Sequence, residues 1–191
     1  MRYKQRRLLK MDEAYLTEIE AQAKIKLVIM GKDPFPKGAN GIPFCKNTWK
    51  EQLNPTSSGF IVLNSLGITR RNLETEFKTP TDCFLYLTTK GIVFLNLSYC
   101  FIGVGVSIRK HRHREELREG FKINEKFLKK ADNIVLCGEA NKNRWNDFKN
   151  SKINEVVHPA RNRNSPDPKI RERWQKSWSF NSLNDRYNIN L

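Results

Sequence analysis

Ile25-Lys26-Leu27-Val28-Ile29-Met30 runs straight into Gly31-Lys32-Asp33-Pro34. The first six residues are almost continuously apolar and rich in β-branched side chains. Gly and Pro stop the run before it reaches helical length. That is the pattern of a short strand buried on both faces. Similar runs recur at residues 92–97 (IVFLNL) and 133–137 (NIVLC), and a partly alternating one at 153–157 (INEVV). Helical patterns lie between them. Residues 11–24 place Leu16, Ile19 and Ala23 on one face. Thr79 and Pro80 supply an N-cap and a first-turn proline for a helix that Gly91 closes. Residues 114–130 carry Leu117, Phe121, Phe127 and Leu128 among charges, and residues 141–149 carry Trp145 and Phe148. Ser165-Pro166 opens a last helix that reaches Trp178. Strands alternating with helices predict an α/β fold: a three-layer α/β/α sandwich around a central four-stranded, mostly parallel sheet with right-handed crossovers. One domain is expected over residues 1–178, with a polar, loosely held tail at 179–191.

The residues just beyond each strand carry the chemistry. In an open parallel sheet, ligands bind outside the carboxyl ends of the strands. Asp33 comes after the first run, Asn96 lies at the end of the second, Gly138-Glu139 comes after the third and His158-Pro159 after the fourth. Asp33, Asn96 and His158, far apart in sequence, are therefore candidates for one crevice.

Composition narrows the function classes. The chain has 191 residues, 38% of them apolar and 10% aromatic, enough for one packed core and too much for a disordered chain. Its 35 Lys and Arg against 20 Asp and Glu give a net charge of +15. A compact domain with that excess attracts polyanions, and nucleic acid is the leading partner class, ahead of an anionic membrane surface. The basic start has no apolar stretch after it, so no signal peptide is expected. The apolar segment 84–108 is interrupted by Thr88, Thr89, Lys90, Gly91, Asn96 and Ser98, which rejects a membrane span. Cys45, Cys83, Cys100 and Cys137 form no CxxC pair and read as reduced thiols, which places the protein inside the cell, cytoplasmic or nucleus-associated and not secreted. His111-Arg112-His113 lacks a third ligand and its arginines repel a cation, so no metal is expected. Gly103-Val104-Gly105 lacks the third glycine of a dinucleotide fingerprint and reads as a loop. A monomer without a cofactor is expected.

GKDPFPKGANGIPF at residues 31–44 resembles the signature loop of the uracil-DNA glycosylases, usually Gly-Gln-Asp-Pro-Tyr-His followed by a Gly-rich stretch and a Phe. Pro36 in the His position is similar to the poxviral branch. FLNLS at 94–98 resembles the second motif of that family, and VVHPARNR at 156–163 resembles the third, a His-Pro followed by a DNA-inserting loop. Asn54-Pro55-Thr56-Ser57-Ser58 looks like the loop that pinches the DNA backbone. The resemblance covers residues 26–178.

The resemblance implies a role for each residue. The Asp33 carboxylate would stabilise an oxocarbenium-like sugar and orient the attacking water, with Pro34 stiffening its loop. A neutral His158 imidazole would donate to uracil O2. Asn96 would read the O4 and N3–H edge, and Phe44 would stack on the flipped ring. Phe35 stands where the family has the Tyr that bars the 5-methyl of thymine. Lys32 replaces the usual Gln at the pocket rim. Pro55, Ser57 and Ser58 would hold the DNA backbone. Arg161, Asn162 and Arg163 occupy the inserting loop in place of an apolar wedge. The basic run 109–118 reads equally well as a phosphate contact or a solvated helix face. The cysteine spacing does not match an iron–sulfur branch. The implied activity is a monofunctional uracil-DNA glycosylase that leaves an abasic site and starts base excision repair. Two alternatives keep the fold: a glycosylase for a modified base, and a catalytically weak DNA-binding accessory protein.

Overall fold

The structure, a computed structural model, describes residues 10–35, 39–68, 70–101, 114–138, 140, 152–189 and 191. The expected helix at 141–149, Pro36, the glycine loop at 103–105, His111, His113 and the first part of the basic run 109–118 lie outside the described residues. In chain order the elements are α1 (Glu13–Ala21), β1 (Ile25–Gly31), α2 (Trp49–Gln52), α3 (Ser58–Ser65), α4 (Arg70–Glu76), α5 (Pro80–Thr89), β2 (Ile92–Asn96), α6 (Arg114–Leu128), β3 (Ala131–Cys137), β4 (Lys152–Val156), α7 (Pro168–Trp178) and α8 (Ser182–Tyr187).

The four strands form one sheet in the order β2-β1-β3-β4, and every pairing is parallel. Helices flank it, giving the three-layer α/β/α fold. All of β2 is buried, and β1 exposes only Lys26. Burial on both faces explains why these strands read as apolar runs and not as alternating ones. β4 is an edge strand with an exposed Lys152 and Glu155, which is why its pattern is weaker. At the opposite edge, the buried Tyr15 hydroxyl of α1 accepts from the Phe94 N–H at 2.7 Å and donates to the Phe94 carbonyl at 3.1 Å. Both backbone groups of an edge residue are thereby satisfied without another strand.

The helix signals at Thr79 hold. Its hydroxyl accepts from the Asp82 N–H, the Asp82 carboxylate accepts from the Thr79 N–H, and Pro80 takes the first turn. Gly91 comes next with a φ of +81°, a conformation that favours glycine. Helix α7, which the sequence pattern makes the last, starts later than Ser165-Pro166 suggests and is followed by α8. Asp167 is its cap, accepting from the Lys169 N–H at 2.9 Å, and Pro168 is its first residue. The sequence Ser-Pro-Asp-Pro offers two cap–proline pairs, and the charged acceptor also meets the positive end of the helix dipole.

Residues 179–189 make contacts with the body of the fold. Leu183 and Ile189 are buried in the core, Tyr187 packs against it, and the Asn181 N–H donates to the Asn64 carbonyl at 3.1 Å. Helices α2, α3 and α4 occupy a stretch to which the sequence pattern assigns no element.

Candidate active site

The carboxyl ends of the strands bring the candidate residues to one edge of the sheet. Neighbouring strands lie about 4.8 Å apart, so the four ends span roughly 14 Å, the scale of a nucleotide. Gly31 at the end of β1 pairs with Asn96 at the end of β2. The pairing continues past both strands: the Leu97 N–H donates to the Gly31 carbonyl and the Ser98 N–H to the Lys32 carbonyl, each at 3.0 Å. The loop that carries Asp33 is thus pinned by main-chain bonds before it leaves the sheet.

Gly31 lets two side chains converge. A Cβ at this position would lie 2.8 Å from Asn96 Oδ1 and 3.1 Å from Phe44 Cζ. The carboxamide of Asn96 and the ring of Phe44 therefore meet over a backbone that carries no side chain. Both residues are buried. Phe44 has a φ of +66°, unusual for a residue with a Cβ, and its ring packs edge-on against Phe94, with centroids 6.3 Å apart. Its carbonyl lies only 2.0 Å from where a Cβ on Gly59 would stand, so the first turn of α3 closes on the loop only because residue 59 is glycine. Behind Asn96, the Asn124 amide of α6 donates to the Asn96 carbonyl at 2.7 Å and accepts from the Tyr99 hydroxyl at 2.8 Å. Burial pushes the Tyr99 phenol up, which keeps it a neutral donor. Asn124 and Tyr99 carry no motif that would have singled them out.

Lys32 and Asp33 lie side by side and nearly enclosed, with side chains 12% and 11% exposed, and the ammonium is 3.8 Å from the Asp33 carboxylate. Pro34 is buried. Phe35 is half-buried, and the Lys46 ammonium stands 3.7 Å from its ring centroid. The Lys46 N–H donates to the buried Gln52 carboxamide at 2.8 Å, and an isolated bridge joins Lys46 to Ala39. Burial pulls the Lys46 ammonium below its ordinary range, although a nearby Glu51 acts the other way. Lys46, against the Phe35 ring, is a residue that the motif reading did not single out.

His158 reaches the site from the other side. The end of β3 abuts it: Gly138 has a φ of +58°, and a Cβ there would lie 2.8 Å from His158 Cβ. The Arg161 N–H donates to His158 Nδ1 at 3.0 Å. With Nδ1 accepting, a neutral ring carries its proton on Nε2. The His158 N–H donates to Asn162 Oδ1 at 2.9 Å, so the Asn162 side chain is used inside the loop. Arg163 donates through Nη1 to the Pro55 carbonyl at 2.9 Å, and its guanidinium lies 5.8 Å from the Trp174 ring centroid. The two loops expected at DNA, residues 54–58 and 158–163, are therefore joined to each other. Pro55 and Arg161 are exposed. Ser57 caps α3 without a side-chain bond to it, and Ser58 is buried in its first turn.

Other chemistries find less support. Burial pushes the thiols of Cys45 and Cys83 up to about 12, and that of Cys137 up as well, so these three are not thiolate nucleophiles. All four cysteines are buried thiols outside any disulfide. Among the described residues no group of three His, Cys, Asp or Glu side chains could hold a metal ion, and no helix is long and apolar enough to cross a membrane.

No family model and no curated protein matches the chain. Solved structures do. The wild-type UNG crystal structure from Nitratifractor salsuginis is 15% identical, with a TM-score of 0.49, covering 92% of this chain and 78% of its own. A tyrosine-to-glycine mutant of the same UNG is 15% identical with a TM-score of 0.50, covering 93% and 79%. At that identity the likeness is one of fold.

Proposed function

We propose that this protein is a monofunctional uracil-DNA glycosylase, which flips uracil out of DNA, hydrolyses its N-glycosidic bond and leaves an abasic site for base excision repair. The observation that carries the reading is the convergence of Asn96 Oδ1 and the Phe44 ring over the bare backbone of Gly31. A carboxamide beside an aromatic ring matches what a flipped pyrimidine presents, a hydrogen-bonding edge and a π-face. The UNG-like fold and the net charge of +15 agree with a DNA substrate.

In this reading the chemistry divides among three strand ends. Asn96 pairs with the O4 and N3–H edge, and Phe44 stacks on the ring. The N1–C1′ bond breaks with its electron pair on the base, and His158 Nε2–H donates to the developing charge at O2. The Arg161 N–H on Nδ1 fixes the tautomer that makes this donation available. The Asp33 carboxylate faces the cationic sugar and orients the water whose oxygen bonds to C1′; as the water adds, one of its protons passes to the Asp33 carboxylate. Preorganised donors and charges of this kind, held out of water, are worth about 10²–10³ in rate each. Lys32, Phe35 and Lys46 form the rim, while Pro55, Ser57 and Arg161 face the DNA backbone and the buried Ser58 holds the first turn of α3 behind Pro55 and Ser57. The protein acts as a monomer inside the cell.

A second reading keeps the mechanism and changes the base. The Lys46 ammonium over Phe35 gives the rim a cation where a 5-substituent would lie, which favours a modified uracil. Incubation with a uracil-containing oligonucleotide followed by alkali should give strand cleavage at the uracil. Intact strands there, with cleavage at a 5-substituted uracil run alongside, would replace the first reading by the second. Intact strands on every substrate would remove both.

A further inference from the structure

His158 hangs from the edge strand β4, which has a sheet partner on one side only. Among the described residues no second strand holds its exit, in contrast to the double pairing of β1. Helix α7 holds it instead. The Trp178 indole donates through Nε1 to the Val157 carbonyl at 2.8 Å, and the Trp174 indole donates through Nε1 to the Pro159 carbonyl at 2.5 Å. The two tryptophans are one helical turn apart and share a face of α7. The carbonyl groups they grip belong to the residues immediately before and immediately after His158. Arg171 adds a bond from Nη1 to the Ser165 carbonyl at 2.8 Å, fixing the far end of the same loop. Trp178 is buried and Trp174 half-buried, so each bond is shielded from water on at least one side.

We infer that Trp174 and Trp178 are positioning residues for His158: their indole N–H groups hold the peptides on either side of it, so that Nδ1 stays on the Arg161 N–H and Nε2–H points to the site. The inference rests on the glycosylase reading for its functional consequence and on geometry alone for its structural one. Trp174 also lies against the Arg163 guanidinium, which bonds Pro55, so the same clamp reaches the 54–58 loop.

The test uses the full chain with Trp174→Phe and Trp178→Phe, which keep an aromatic ring and delete the N–H. Amide hydrogen exchange is read at Arg161, protected while it donates to His158, and at Val28 and Ile29 in the central strand. Both variants should speed Arg161 exchange by about tenfold and leave Val28 and Ile29 as in the wild type. The single-turnover excision rate should fall about ten- to a hundredfold, the cost of a small misplacement of a reacting group, with duplex affinity unchanged. Unchanged Arg161 exchange in both variants overturns the inference. So does exchange that rises equally at Val28 and Ile29, since a merely structural role loosens everything together. Should the buried Trp178→Phe fail to fold, Trp174→Phe decides alone. A wild type that excises no base, with Arg161 exchange still responding to the tryptophans, fells the glycosylase reading and leaves the clamp standing.

Discussion

The loop after β1 and the loop after β4 deliver the two candidate catalytic groups, and they are supported in opposite ways. β1 lies between β2 and β3, and its exit is held by main-chain bonds from Leu97 and Ser98. The side chains it carries, Lys32 and Asp33, are nearly enclosed. β4 lies at the edge, and its exit is held by side chains: Asn162 within the loop, Trp174 and Trp178 from α7, and Arg163 across to Pro55. A central strand end is fixed by the sheet itself, whereas an edge strand end has to recruit a helix. The first kind of support survives most side-chain substitutions, while the second is made of side chains and fails one at a time.

The largest effect should come from the charge on the rigid loop. Asp33→Asn keeps the shape while removing the negative charge and turning one acceptor oxygen into an amide donor, and folding should be retained because the residue stands on a loop held by main-chain bonds. Excision should fall about 10²–10⁴-fold, the range for losing one electrostatic or acid–base group. Single-turnover excision at the wild-type rate would take Asp33 out of the mechanism and leave the rigid loop without a catalytic purpose.

Two glycines sharpen the comparison. Gly31→Ala would put a methyl 2.8 Å from Asn96 Oδ1 and 3.1 Å from Phe44 Cζ, which are ends of side chains and can move. It should disturb the base cradle, lowering excision by about tenfold or more, while changing stability by under about 1 kcal/mol because backbone and core stay in place. Gly138→Ala meets backbone strain instead. Its φ of +58° costs a residue with a Cβ about 1–2 kcal/mol, and the methyl presses on His158 Cβ at 2.8 Å. Its melting temperature should drop, and excision should fall by about tenfold or more as His158 shifts. Chemical denaturation and single-turnover kinetics on both variants check the pair. Equal stability losses would mean that the two strand ends are equally stiff.

The same contrast explains what the sequence makes legible. Asp33 and Asn96 can be placed at strand ends because buried parallel strands write continuous apolar runs, and His158 because even the partly alternating edge strand β4 is legible before His-Pro. The convergence of Asn96 and Phe44 is not written locally. It depends on a left-handed Phe44 and on Gly59 admitting a carbonyl, and neither follows from residue type. Asn162 and Arg163 read as DNA-facing because VVHPARNR resembles an inserting loop; which intramolecular partners they take, the His158 N–H for Asn162 and the Pro55 carbonyl for Arg163, is not written in that motif. Trp174 and Trp178 lie 15 and 21 residues from the carbonyls they hold, beyond any local motif. Helix α3 escapes a pattern reading because SGFIVLNS is buried nearly all round and shows no amphipathic stripe. The terminal segment reads as polar because its core contacts, Leu183 and Ile189, are spaced among Asn, Ser and Asp.

The smallest expected effect separates the two arginines of the His158 loop. Arg161 is exposed, and only its backbone N–H is committed to His158, so its side chain is available to a phosphate. Arg161→Ala should weaken duplex binding severalfold and flatten the salt dependence by about 0.9 in the slope of log affinity against log salt, the signature of one lost phosphate contact. Arg163 is held by Pro55 and has its guanidinium 5.8 Å from the Trp174 ring centroid. Arg163→Ala should leave the salt slope near that of the wild type and slow excision from duplex more than from single strands, because only a duplex needs the two loops fixed together as the base leaves the stack. Binding at several salt concentrations and excision on matched single- and double-stranded substrates measure both. A salt slope that flattens equally in the two variants would make Arg163 another phosphate contact, and the side-chain bridge between the loops would then be dispensable to the edge-strand end of the site.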